Sequence, residues 1–280
     1  MFCLNNDGVY ERATPHAVSD MPAISRMPAG AYRVVNIEHG SVTFATLEPS
    51  AEPVFFLDTP EMRMVRREVE AFFDPATTAR LLAAGLKHRR GIILHGPPGT
   101  GKTSMVRQLI PLLVERDAVI LVDCRANHLE RTIIPAIRRG DPDRPIVLFF
   151  DDLSTSAWSD SSEFLQLLDE LTSPEHLLTI GCTSYFKAVP VELRNRPSLF
   201  GLTLRIRRLP DGVHERLAEQ KYPTLSPADR QFAVRLTQDL PIDYLEEACK
   251  LFLMGYDPDE VRDRLHTTML AGSVGRRRRR

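Results

Sequence analysis

Gly96-Pro97-Pro98-Gly99-Thr100-Gly101-Lys102-Thr103 is the stretch that decides the fold. It follows the short apolar run Ile92-Ile93-Leu94 and leads into a helix-like segment from Thr103 onward. A loop that grips phosphate needs consecutive backbone N–H groups turned inward. It needs glycines where side chains would block approach, and a helix N-terminus behind it to hold negative charge. Gly96, Gly99 and Gly101 supply the open backbone, with Pro97, Pro98 and Thr100 between them. Lys102 brings a point charge to the β- and γ-phosphate oxygens of ATP. The Thr103 hydroxyl is placed to ligate Mg2+. Ser104 completes the candidate nucleotide-binding set. The competing reading, a chance glycine-rich turn, has to explain a full run of matching positions between a strand and a helix.

Further along, Ile146-Val147-Leu148-Phe149-Phe150-Asp151-Asp152 puts two carboxylates at the end of an all-apolar strand. Ligands of open α/β sheets sit outside that end of the strands. Asp151 is placed to hold Mg2+ through its water shell. Asp152 is placed to orient or polarise the attacking water. The bland alternative is that the pair only caps the loop that follows.

The runs around these two stretches organise the chain. Ile92–Leu94, Val119–Val122, Ile146–Phe150, Leu178–Cys182 and Leu202–Ile206 are apolar along their length and alternate with helical segments. That pattern predicts an α/β fold with a parallel five-stranded sheet covered by helices on both faces. Thr59-Pro60-Glu61 opens a helix with a cap residue, a proline at the first position and an acid in the first turn. A second helix is expected from about Pro75 to Gly85. Pro111 is expected to kink or end the helix that follows the glycine-rich loop.

Before Pro60, residues 1 to about 30 show no sustained periodicity and read as a loosely ordered arm. Alternation across Tyr32–Ile37 and Ser41–Leu47 predicts a small β-hairpin. After Pro210-Asp211 only helical patterns remain: Val213–Gln220, Pro227–Gln238, Ile242–Met254 and Pro258–Met269. The expected domains are an arm and β-rich segment at 1–58, an ATPase core at 59–210, a helical lid at 211–270 and a basic tail at 271–280.

Bulk properties narrow the classes. With 43% hydrophobic residues, the 280-residue chain can bury a sizeable core. The net charge of −1 includes five positive charges at Arg276–Arg280, so the rest is more acidic than that figure. An acidic body is a poor general polyanion binder, and any nucleic-acid contact would come from a local patch or this basic tail. Cys3, Cys124, Cys182 and Cys249 are too scattered for a metal site and read as free thiols, mostly buried. No apolar stretch is long enough for a membrane span, and the N-terminus lacks signal-peptide character. The cytoplasm is the expected compartment. His88, His95 and His128 have no metal-spaced partners. Trp158 lies in the polar run after Asp152 and reads as a loop anchor or a partner contact.

From Glu61 to Leu270 the chain resembles the AAA branch of the AAA+ ATPases. Arg89 to Thr103, Phe149-Phe150-Asp151-Asp152 and Leu193-Arg194-Asn195-Arg196-Pro197-Ser198 carry the resemblance. It implies a five-strand parallel sheet with a helical lid, ATP hydrolysis, and a homo-oligomeric ring, usually of six subunits. The nucleotide would sit between subunits, with an arginine from a neighbour stabilising transition-state charge. Arg196 matches the first arginine of the family's Arg-Pro-x-Arg-Phe-Asp string. Leu199 replaces the second, Gly201 replaces the aspartate, and Arg194 is the nearby substitute.

Other departures bear on function. The family's Asp-Glu pair is Asp151-Asp152 here, one methylene shorter at the second position. Its polar sensor after the fourth strand corresponds to Ser184, with Thr183 beside it. The competing reading is a strand-end hydroxyl bonded to backbone. Asp123 to Leu129 lacks the aromatic–apolar–glycine pore loop of peptide-threading members. The short lid, with Tyr244–Ala248 and Met254-Gly255-Tyr256, looks more like soluble relatives of the branch containing the mitochondrial complex III assembly chaperone. The function implied is ATP-driven remodelling of a protein or complex. The rivals are a DNA-associated ATPase and an ATP-binding switch with little hydrolysis.

Overall fold

Strands that are apolar on both faces are stable only inside a layered sheet, and the chain builds one. The structure is a computed structural model and describes residues 2–4, 9–12, 23–24, 26–38, 41–47, 58–124, 129–139, 141–153, 175–195, 197, 199–207 and 212–277. The first strands are β1 (Phe2–Leu4), β2 (Val9–Arg12), β3 (Ala23–Ile24), β4 (Gly30–Glu38) and β5 (Ser41–Thr46). Helices α1 (Pro60–Phe72) and α2 (Pro75–Ala83) lead to β6 (Arg89–His95). Then come α3 (Lys102–Glu115), β7 (Val119–Val122), a π-helical turn at Leu129–Ile133 and α4 (Ile134–Arg138). β8 (Ile146–Phe150), β9 (Leu177–Thr183), α5 (Val191–Arg194) and β10 (Leu202–Arg205) follow. The remaining chain is helical: α6 (Val213–Lys221), α7 (Pro227–Thr237), α8 (Ile242–Leu253) and α9 (Pro258–Arg277).

The sheet order is β10-β6-β9-β8-β7-β4-β5-β2-β1-β3. The five predicted strands pair with one another in parallel, in register from Leu202↔Ile92 on one side to Val122↔Phe149 on the other. The sheet does not stop at five. β4 adds in parallel to β7 through Gly30↔Val119, Ala31↔Ile120 and Tyr32↔Leu121, and β5, β2, β1 and β3 continue it antiparallel. The expected hairpin at 31–47 is therefore an extension of the main sheet. Part of the segment expected to be a loose arm also holds paired strands. The reason is packing: Tyr32, Val42 and Phe44 are essentially inaccessible and share a core with Ile93, Leu121 and Leu148. Tyr32 meets Phe44 edge-on, and its hydroxyl donates to the Pro28 carbonyl at 3.0 Å.

Local signals set the helix starts. The Asp74 carboxylate caps α2 by accepting from the Ala76 and Thr77 amides, with Pro75 next. Asp257 Oδ1 accepts from the Asp259 and Glu260 amides while Glu260 Oε2 accepts from the Asp257 amide, a capping box opening α9. Two expectations differ. Pro111 neither ends nor interrupts α3, which runs on to Glu115. Pro111 is exposed, so the loss of one backbone bond is tolerated where water can reach the freed carbonyl. The last helix passes the expected lid boundary at 270 and reaches Arg277.

The chain divides into two compact units. The first takes in the sheet, with Pro60–Gly96 and Lys102–Arg205. The second takes in Pro97–Gly101 and Ile206–Arg280. The second has its own core, in which Leu217, Ala233, Leu245, Ala248, Cys249 and Val261 come together.

Candidate nucleotide site

Parallel register brings several chemistry-bearing residues to one end of the sheet. His95 pairs with Thr183, Phe150 with Gly181 and Val122 with Phe149. The next residues, Gly96, Ser184, Asp151 and Asp123, therefore all follow strand ends on the same edge. The Gly96 amide donates to the Thr183 carbonyl at 3.2 Å, and the Asp123 amide to the Phe149 carbonyl at 2.8 Å. These bonds fix where each side chain leaves the sheet.

Lys102, the first residue of α3, is buried, and its Nζ donates to the Gly96 carbonyl at 2.9 Å. The Thr103 hydroxyl donates to Asp151 Oδ1 at 2.5 Å, joining positions far apart in sequence. Asp152 is half-buried beside it. A hydroxyl and a carboxylate in contact beside a buried ammonium are the hard-oxygen donor set that Mg2+ prefers, with a cation for the phosphate charge next to it. The residues present fit MgATP.

The loop itself is built without side chains where its backbone turns. Gly99 and Gly101 have φ of +71° and +81°, a region that costs other residues. Within the second unit, the Thr100 hydroxyl donates to the Pro97 carbonyl at 2.9 Å, and the Ile242 amide donates to the Gly99 carbonyl at 3.0 Å. A Cβ on Gly99 would stand 2.6 Å from Pro241 Cβ and 2.7 Å from Asp243 Oδ2. Pro97 and Pro98 are exposed, and Ser104 is exposed on α3.

Two open readings sharpen. Thr183 is buried and its hydroxyl accepts from the Tyr185 amide at 3.0 Å, which makes it the strand-end hydroxyl bonded to backbone. Ser184 is half-buried at the strand's end. Leu199, at the family's second arginine position, is buried in the core with Val189 and Leu193. Its carbonyl lies so near β6 that a Cβ on Gly91 would come within 1.9 Å of it. An arginine there would have to bury its charge, so the leucine follows from packing. Arg196 lies outside the described residues, as do residues 125–128 and Trp158. Arg194 lies with its guanidinium carbon 5.7 Å from the Phe186 ring centroid.

Asp123 was missed as a site residue. Its carboxylate accepts from the Asp151 amide at 2.9 Å, and its φ is +50°. A lone aspartate after a short apolar run carries no periodic signal, and a left-handed backbone is legible only where glycine marks it. The thiols are set apart from the chemistry. Cys124, Cys182 and Cys249 are free and buried. Burial pushes the Cys124 thiol up to about 12 and Cys249 up to about 11. Burial first, then the Asp151 charge, pushes Cys182 higher still. None of these three forms a thiolate at neutral pH.

Fold and site together define the class of P-loop nucleoside triphosphatases. Residues 92–208 match the family described as "ATPase family associated with various cellular activities (AAA)". It is 28% identical over 228 residues to the peroxisomal ATPase PEX6 of Eremothecium gossypii, covering 75% of this chain and 21% of that protein. It is 27% identical over 192 residues to an AAA ATPase forming ring-shaped complexes from Rothia mucilaginosa, covering 57% of this chain and 29% of that protein. Human PEX6 is 29% identical over 154 residues, covering 49% of this chain and 16% of that protein. The chain thus spans less than a third of the length of each of these relatives.

Proposed function

We propose that this chain binds ATP with Mg2+, hydrolyses it, and couples the cycle to remodelling of a protein or complex within a homo-oligomeric ring. The observation that carries the reading is the Thr103–Asp151 contact beside the buried Lys102. Lys102 and the loop amides hold the phosphates, and Thr103 and Asp151 hold the metal. Mg2+, when bound, neutralises charge on the triphosphate. Asp152 orients the attacking water as its general base. Ser184 contacts the γ-phosphate or that water. Arg196, or Arg194 in its place, reaches the site of an adjacent subunit. The ring is supported by the likeness to a relative whose name describes ring-shaped complexes.

A steady-state ATPase assay tests this. Wild-type turnover should exceed that of Lys102→Ala by about a hundredfold or more, because removing the charge that meets the phosphates is worth several kcal/mol of transition-state stabilisation. Turnover equal to that of Lys102→Ala contradicts hydrolysis.

A further inference from the structure

His95 is the last residue of β6 and stands directly before Gly96. Its ring stacks on Phe186, with centroids 4.2 Å apart and planes inclined by 20°. Burial first, then the charges of Arg205 and Lys102, lower the His95 pKa, so the ring facing Phe186 is neutral at physiological pH. Phe186 packs against the first unit's core and comes three residues after Thr183. The Arg194 guanidinium lies within cation–π range of the same ring. Its Nε is buried and has no hydrogen-bond partner among the described residues. The Phe186 ring is the aromatic face within reach of the guanidinium. Arg194 closes α5, two residues before Arg196.

We infer that Phe186 is a positioning residue that joins the strand entering the phosphate loop, through His95, to the arginine segment offered to a neighbouring subunit, through Arg194. The inference rests on the proposed action of that segment in trans. Three elements that meet the nucleotide differently, the root of the loop, the turn after β9 and α5, share one ring. A displacement of His95 with the loop shifts the ring and so the direction in which the arginine segment points. An ångström of misplacement of a charge-stabilising group can cost about a hundredfold in rate, so a small shift is enough to matter.

The test uses the full chain with Phe186→Leu, Phe186→Tyr and Arg194→Lys. Phe186→Leu is expected to keep its affinity for a fluorescent ATP analogue within about twofold and to lose at least about tenfold in turnover. Phe186→Tyr keeps the ring and should restore turnover. Arg194→Lys keeps the charge but loses the flat guanidinium, and should reproduce the defect even if Phe186→Leu fails to fold.

Mixing then separates cis from trans. Lys102→Ala subunits turn ATP over poorly at their own site but keep the stack. Added to Phe186→Leu subunits, they should raise turnover above the sum of the two alone. Wild-type turnover in both Phe186→Leu and Arg194→Lys, or no gain on mixing, overturns the inference. Unchanged turnover in Arg194→Ala and in Arg196→Ala would instead overturn the reading of the segment as acting in trans.

Discussion

Asp151 is held from two sides, by the Thr103 hydroxyl on its carboxylate and by the Asp123 carboxylate on its amide. In the proposed function Asp152, one residue on, handles the water. Asp152→Asn keeps the shape and removes the base. We expect ATP binding within a few-fold of wild type and turnover lowered by about a hundredfold, the usual range for losing a general base. Unchanged turnover in a single-turnover assay would remove Asp152 from its role.

A second titratable site lies at the opposite end of the sheet. His88 is buried, stacks on Phe72, and its Nε2 donates to the Phe72 carbonyl at 2.7 Å while His176 faces its Nδ1 at 2.7 Å. Burial lowers its pKa against the opposing pull of the Phe72 carbonyl. A histidine kept neutral in the fold is protonated first in the unfolded chain. Its contribution to stability is therefore complete above the ordinary value of 6.5 and declines as pH falls through it. The melting temperature should drop between about pH 7.5 and 5.5, and His88→Gln should flatten that slope. Of these residues, Lys102, Thr103, Asp151 and Asp152 were legible as candidates because strand, loop and helix signals bracket them. Asp123 and the His88–His176 contact were not, because both depend on which strand ends become neighbours.

At the scale of elements, the parallel strands were readable from continuous apolar runs, and the start of α1 from Thr59-Pro60-Glu61. β4 was readable as a strand but not as a neighbour of β7. Alternation tells which face is buried but not which edge pairs. α5 is too short to show a helical period. The extension of the sheet predicts a specific cost. Tyr32→Ala should destabilise the sheet unit by about 3–5 kcal/mol, as loss of a buried aromatic does, although Tyr32 lies far before the phosphate loop. A melting temperature unchanged from wild type would mean that β4 folds apart from the sheet. Gly91→Ala drives a methyl into the Leu199 carbonyl, a backbone atom that cannot swing aside. It should cost about 1–3 kcal/mol by overpacking and shift β10 with it, read by denaturant midpoint.

At the scale of the whole molecule, the family match covers 92–208, and the relatives are several times longer than the stretch they share with this chain. In the proposed ring, a site shared between subunits makes activity depend on assembly. Turnover per subunit should rise with protein concentration and level off as the oligomer forms, while a self-sufficient monomer would give a constant value. The central claim is narrower: the backbone from Gly96 to Thr103 embraces a triphosphate. Equilibrium binding of ATP in the presence of Mg2+, compared between wild type and Lys102→Ala, tests it most directly. The account predicts saturable wild-type binding in the micromolar range that weakens by at least about tenfold in the variant, since about 1.4 kcal/mol is a factor of ten. Wild type that fails to bind at millimolar ATP, or that binds no better than Lys102→Ala, would contradict it.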